Sequence, residues 1–363
     1  MRPLFAVALL AVPAFAAFPN GYSYCKVVTT QHAMVSGAND LTNYPLTVIL
    51  TDADLRTTGN GGLVNNANGY DIGFYPDCSG SGAALKWEME SYSPTTGAIV
   101  AHVLRPTLSH ATNDTIGMFY GGLFSSFQST ASAVWDSNYK GVWHLGGSST
   151  PNLADSTSVN NLTSVGSTTS TSGQIDGAAS FNESNYLINS TAAGIPISGR
   201  VTLSCWLMFT DTPLFRTAVN YSNGSTGSLF AILAESSSVY AYVNGSDHLS
   251  SALQPNTSYN VSFVFDTVAG SVTFYINGQL DKTYTGLTLT MPAAEVFIGS
   301  LNGSNGPWSG WVDEVRISNS ARSADWILTE YRNQSAPGTY ISAGSRVAAG
   351  AGTRIRHLVT GGF

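Results

Sequence analysis

Short runs in which apolar or β-branched residues alternate with polar ones recur along the chain: 46-LTVILTD-52, 99-IVAHVL-104, 115-TIGMFY-120, 239-VYAYV-243, 259-YNVSFVF-265 and 272-VTFYI-276. Successive side chains of a strand point to opposite faces, so a period of two marks a sheet with one face buried. Asn-Gly pairs at Asn223, Asn244, Asn277 and Asn302 punctuate the runs. That pair suits tight hairpins because both residues tolerate positive φ. Helical spacing shows in one place: within 320-SARSADWILTEYRN-333, Trp326, Ile327 and Tyr331 share a helical face. Ser323 stands there as a helix N-cap, and Asp325 falls in the first turn, where its charge favours the helix dipole. The pattern predicts an all-β protein of two β-sandwich domains with a short C-terminal helix, because every sheet must bury one face against another layer.

Length and composition agree. The 363 residues allow two domains, and 43% hydrophobic content rules out wholesale disorder. Charged residues are scarce at 10%, and the net charge is −7, so the chain lacks the basic field that nucleic-acid binding requires. Nucleic acid is excluded as an expected partner.

The start, 1-MRPLFAVALLAVPAFAAFPNG-21, has an early cation at Arg2, an apolar run, and the small residues Ala14 and Ala16. It predicts a secretory signal over 1–16 and an exported mature chain with no membrane span. An oxidising compartment would let Cys25 pair with Cys78, both in the first half. Cys205 shares an alternating face with Leu203 and Leu207 and is expected to be a buried free thiol. The domain boundary is placed near 136-DSNYKGVWHL-145, giving a first sandwich over 17–138 and a second over 139–343. The tail 344–363 carries Arg346, Arg354, Arg356 and His357 without an acid. It is either a frayed basic end or, through 353-TRIRHLVT-360, a strand that pairs with another sheet edge, on this or a neighbouring molecule.

Several motifs in the second half occur in a shared order: 141-GVWHLG-146, 177-GAASFNESNYL-187, 200-RVTLSCWLMF-209, 263-FVFDTVAGSVTFYINGQLD-281 and 310-GWVDEVRISNSARSADWILTEYRNQ-334. Through them the segment 139–342 resembles the laminin-G-like, concanavalin A-like jelly rolls of bacterial secreted proteins. The first half, through 43-NYPLTVILTDADL-55, 70-YDIGFYPD-77, 85-LKWEMESYSPTTGAIVAHV-103 and 116-IGMFYGG-122, looks like the domain of unknown function that often precedes such jelly rolls. The resemblance implies a secreted protein that binds a glycan or cell-surface ligand without catalysis. The alternatives are a structural subunit of an extracellular filament or virion appendage, self-assembling through sheet edges and the tail, and, third, a glycoside hydrolase or polysaccharide lyase.

Candidate residues follow. The charged residues of 311-WVDEVRI-317 and its sequel could be a catalytic site, a metal site or a structural lock. Strict alternation would put Asp313 with Trp311, Val315 and Ile317 on one face, and Glu314 with Arg316 on the other. The two carboxylates would then not flank one glycosidic bond. The expectation is a lock in which Arg316 or Arg322 pairs with Asp325 or Glu314 and fastens the helix to the sandwich. Glu88 and Glu90 have the same-face spacing of a glycosidase pair but lie in the first domain and lack a third acid. His144, within the Trp-His-Leu strand, is expected to be a satisfied core or edge residue. Zinc-hydrolase, nucleophile-elbow and phosphate-loop motifs are missing from the sequence. Jelly-roll relatives imply a structural calcium, for which Asp155 and Asp313 are the ligands to test. For a sugar, whose ring has an apolar face ringed by hydroxyls, Trp308 and Asn305 in 301-LNGSNGPWSG-310 are the candidate platform and polar partner.

Overall fold

The computed structural model describes residues 18–349 apart from 192, 195–198, 212–214, 222–227 and 290–294. The signal expected at 1–16, the Asn223-Gly turn and the strand expected at 353–360 lie outside the described residues. The first half contributes strands β1 (Tyr24–Thr30), β2 (Leu41–Thr51), β3 (Ile72–Tyr75), β4 (Trp87–Tyr92), β5 (Ala98–Leu108) and β6 (Asp114–Tyr120). The second begins with β7 (Tyr139–Trp143), β8 (Thr163–Val165), β9 (Thr169–Ser172), β10 (Gly177–Asn182), β11 (Tyr186–Asn189), β12 (Arg200–Phe209) and β13 (Arg216–Tyr221). It continues with β14 (Ser228–Glu235), β15 (Ser238–Val243), β16 (Ser246–Leu249), β17 (Tyr259–Asp266), β18 (Ser271–Ile276), β19 (Gln279–Tyr284), β20 (Val296–Ile298) and β21 (Ser309–Ser318). Helices α1 (Ala324–Ser335) and α2 (Pro337–Tyr340) and the short strands β22 (Ile341–Ala343) and β23 (Val347–Ala348) close the described chain.

The jelly roll stacks an eight-stranded sheet, β19-β18-β17-β12-β21-β10-β9 with β7 beside β21, on a seven-stranded one, β16-β15-β14-β13-β20-β11-β8. Alternation explains the packing. Leu203, Cys205 and Leu207 of β12 meet Phe230, Ile232 and Ala234 of β14 in one core, while Trp206 and Trp311 face out the other side. Two of the foreseen Asn-Gly turns are tight hairpins with both residues at positive φ: Asn244-Gly245 joins β15 to β16, and Asn277-Gly278 joins β18 to β19. Gly278 is doubly constrained, because a Cβ there would also stand 2.8 Å from Cβ of Tyr331 on α1.

The first sandwich packs β22-β1-β6-β3, with β23 also on β1, against β2-β5-β4. Val28, Phe74 and Met118 from one sheet meet Leu46, Trp87 and Val103 from the other. Its strands are not all its own. The chain returns after the jelly roll so that Thr30 pairs with Ile341 and Cys25 with Val347. The start of the basic tail is thus taken up within the molecule, and Arg346 bonds Asp54 at 2.7 Å. Tyr139, Val142, Trp326, Tyr340 and Ile341 are buried in this same core.

Helix α1 is a wedge between the sandwiches. Ser323 Oγ accepts from the Trp326 amide at 3.2 Å, the foreseen N-cap. Trp326 meets Tyr44 of the first domain edge-on at 5.1 Å, whereas Tyr331 stacks on Trp206 of the second at 5.7 Å. The Asn333 amide bonds both the N–H and C=O of Thr47, in each case at 2.8 Å, in place of a neighbouring strand.

Cys25 and Cys78 form a disulfide, and Cys205 is a buried free thiol. Burial, with a smaller contribution from Asp313, pushes the Cys205 thiol well above its ordinary range. The native protein should therefore not react with a thiol-specific chromogenic reagent at pH 8. Denaturation without reductant should release one thiol per chain. A fast native reaction would contradict this burial.

Candidate functional site

The alternation expected for β21 breaks at its centre. Ser204 pairs with Arg316, but Trp206 pairs with Asp313, so Glu314 and Val315 together oppose Cys205 in a β-bulge. Glu314 takes φ 51°. Val312, Val315 and Ile317 consequently line the jelly-roll core, and Asp313, Glu314 and Arg316 are left on the outer face. The two carboxylates do not point to opposite sides, correcting the sequence expectation. The bulge lies where the neighbour of β21 changes from β10 to β7, which brings His144, just after β7, alongside Glu314.

That outer face is covered by the outer face of β2-β5-β4. His144 Nδ1 lies 2.6 Å from Glu314 Oε1 and 3.5 Å from Glu90 Oε2. His102 Nε2 lies 2.7 Å from Glu90 Oε2, and the two imidazoles stack at 4.4 Å. Glu88 accepts from Trp135 Nε1 at 2.8 Å and from Ser156 Oγ at 2.6 Å. Arg316 bonds Glu314 at 2.5 Å, reaches Glu330 on α1, and lies 5.0 Å from the Trp135 ring centre. Side chains of Glu90, His102, His144, Glu314 and Arg316 are at most 4% exposed. A cluster so enclosed has no room for a polymeric substrate.

Electrostatics separates groups of the same type. Burial and the charge of Glu314 push Glu90 far above the carboxylate range, and the same two causes raise Asp313 despite the amides of Ile175 and Gln174. Burial also opposes ionisation of Glu314, but His144 and Arg316 outweigh it and hold the carboxyl below its usual range. For Glu88 the opposition of burial is overcome chiefly by His144, and the carboxyl is held down at about 2. Burial and the charge of His144 take His102 to about 3. His144, against the penalty of burial, is raised by Glu314, Glu90 and Glu88.

The lock thus joins two domains, with pairings that differ from expectation. Glu314 pairs with Arg316 as foreseen. Arg322 instead bonds Asp136 at 3.3 Å and lies over Tyr139 and Trp326, while Asp325 accepts from Ser36 Oγ at 3.0 Å. Both contacts draw α1 toward the first domain, which sequence patterning could not reveal.

The calcium pair does not assemble. Asp155 is saturated as a loop organiser: Oδ1 accepts from the amides of Val142 and Thr157, and Oδ2 from Thr157 Oγ1 and the Val159 and Asn160 amides. Asp313 Oδ2 accepts from Gln174 and Ile175 amides, holding the entrance to β10. The two aspartates serve different loops. Among the described residues, those that converge as potential metal donors are Glu90, His102, His144 and Glu314, all buried or nearly so. Spacing gave Glu88 and Glu90 a shared face, but nothing local linked them to His102 or Glu314.

The sugar candidates are also corrected. Trp308 is 0% exposed and packs edge-on against Phe209 at 6.3 Å inside the jelly-roll core. An indole that has lost its whole surface to the core offers no ring face to a ligand. Asn305 is exposed, but its backbone closes the 301–305 turn through the Leu301 amide and Ser300 Oγ. The hollow beside that loop, bounded by Tyr186, Ser300 and Ser304, measures only about 130 Å³. A wider groove of about 460 Å³ lies at the domain junction, between Trp135, Asp136, Tyr139 and Lys140 of the connecting segment and Thr157 and Val159 of the jelly roll. Ligand pockets usually fall in the range of a few hundred Å³ and often at domain interfaces, so the larger groove is the better candidate.

Residues 181–328 match the family model described as the concanavalin A-like lectin/glucanases superfamily. No curated protein sequence matches the chain. Among solved structures, domain 4 of AbnA, a GH43 extracellular arabinanase from Geobacillus stearothermophilus in complex with arabinotriose, is 17% identical with a TM-score of 0.45. That overlap covers 54% of this chain and 98% of the domain. The receptor-binding domain of botulinum neurotoxin mosaic serotype C/D is 14% identical with a TM-score of 0.43, covering 57% of this chain and 52% of that one. The binding domain of botulinum neurotoxin DC in complex with SialylT is 11% identical, also at 0.43, covering 55% and 52%. The chain therefore spans about half the length of the toxin domains, and overlaps this loose carry nothing beyond the family match.

Proposed function

We propose that this protein, whose second half is a concanavalin A-like jelly roll, is an exported, non-catalytic binding protein that recognises a glycan in the groove at its domain junction. The observation that carries this is the lining: Val159, 58% exposed, and the edges that Trp135 and Tyr139, each 6% exposed, leave at the surface supply apolar contact, and Asp136, Lys140 and Thr157 supply polar groups. An amphipathic sugar ring needs that combination. Glycoside hydrolysis calls for a pair of carboxyls across the scissile bond. Among the described residues Asp136 is the one acid in this lining, and it is held by Arg322, which supports binding without turnover. Export is supported by the Cys25–Cys78 disulfide, since such bonds persist in oxidising compartments. Among the described residues no helix is long and apolar enough to cross a membrane.

The test is a glycan array followed by titration of its hits. Val159 is 58% exposed, so Val159→Trp should fill the groove without touching a core. It is expected to weaken binding at least tenfold, about 1.4 kcal/mol, at unchanged Tm. Hits that bind Val159→Trp as well as the parent would move the site elsewhere, and an array without hits would remove the glycan.

A further inference from the structure

We infer that Glu90, His102, His144 and Glu314 form a binding site for one divalent transition-metal ion of the zinc class, which would staple the two domains together. Candidate donor atoms of these four side chains all lie within 4.8 Å of one another. A tetrahedral zinc site with bonds of about 2.0–2.1 Å places its donors about 3.3 Å apart. His144 Nδ1 and Glu90 Oε2 are already at 3.5 Å, while the close pairs at 2.6 and 2.7 Å must open by about 0.6–0.7 Å.

Three further observations point to a cation. The ring nitrogens facing away from the centre have oxygens near them that could orient a metal-bound histidine: His102 Nδ1 lies 3.2 Å from Thr47 Oγ1, and His144 Nε2, buried without a hydrogen bond, has Glu88 Oε2 3.5 Å away. Glu88 is itself fixed by Trp135 and Ser156, so this outer shell is braced. Glu90 Oε1 is buried without a hydrogen-bond partner beside the centre, although its side chain is only 3% exposed. Finally, the Arg316 guanidinium is engaged by Glu314 and Glu330, whereas the side-chain partners of Glu90 are the two imidazoles, so a divalent ion would give that carboxyl a cation of its own. Two imidazoles and two carboxylates suit zinc and its neighbours, whereas calcium and magnesium take all-oxygen shells. Two donors come from each domain, from β4 and β5 on one side and from the end of β7 and β21 on the other.

The experiment uses the full chain, loaded with zinc, dialysed, and measured by elemental analysis, with a cobalt-loaded sample for visible spectroscopy. One zinc per chain, four-coordinate cobalt bands and a Tm that falls on chelation are expected. Glu90→Gln keeps shape and removes one anionic donor, and His102→Gln removes an imidazole. Each should cost more than about a hundredfold in affinity while circular dichroism stays that of the parent. Absence of retained zinc and cobalt bands in the unsubstituted protein would overturn the site without reference to any variant. So would zinc retention unaffected by both substitutions, or a preference for calcium. Glycan binding by Val159→Trp is independent of all these outcomes.

Discussion

Arg316→Met is expected to lower the unfolding free energy by about 3–5 kcal/mol, because removing one member of a buried ionic network strands the charges it answered. Methionine fills much of the same volume, so the loss would be electrostatic rather than a cavity. Glu314 keeps His144 as a partner, but Glu330, held by Arg316 across the face of β21, loses its contact with the sheet. The guanidinium also leaves the ring of Trp135, and with it one link to the connecting segment. Chemical denaturation of Arg316→Met, Glu330→Gln and the double variant separates these contributions. The double variant should recover part of the loss, since a neutral amide at 330 no longer needs a cation. Unchanged stability in Arg316→Met would mean that the network is solvated and the lock does not exist.

How much of this lock could be read from the chain depends on the range of each interaction. Local rules work at Ser323, which caps α1, and at Asn244-Gly245 and Asn277-Gly278, where the hairpin needs positive φ from both residues. The same is true of Cys205, whose burial follows from period-two neighbours. They fail at Glu314. One extra residue in β21 turns its side chain to the face of Asp313, and the cause is the exchange of partner strands on either side of the bulge. Trp308 fails for a related reason: Gly and Asn around it announce a loop, but not that the indole turns inward against Phe209. The groove leaves no local pattern because its walls are more than a dozen residues apart in sequence and meet only when the domains dock. His102 gave no signal either, as a lone histidine in an apolar strand ordinarily reads as core.

Residues 18–138 expressed alone are expected not to hold the native first sandwich, even though a boundary at 138 is where composition and motif order place it. In the whole chain that sandwich borrows Tyr139, Val142, Trp326, Tyr340 and Ile341 for its core. It also borrows β22 and β23 to cover the edge of β1. Loss of each buried large aromatic costs about 3–5 kcal/mol, and a domain of this size has about 5–15 kcal/mol in total. Removing Trp326, Tyr139 and Tyr340 together therefore exhausts the margin before the exposed edge of β1 is counted. The fragment should show poor amide dispersion by NMR, bind a hydrophobic dye and lack a cooperative melt. Joining residues 319–349 to it through a flexible linker should restore dispersion, because that segment carries the helix cap, the Asn333 bridge to Thr47 and both return strands. A fragment of 18–138 that melts cooperatively near the temperature of the full chain would show instead that the helix rests on a finished sandwich, and the domain-joining centre would then be an ornament of docking rather than a condition of folding.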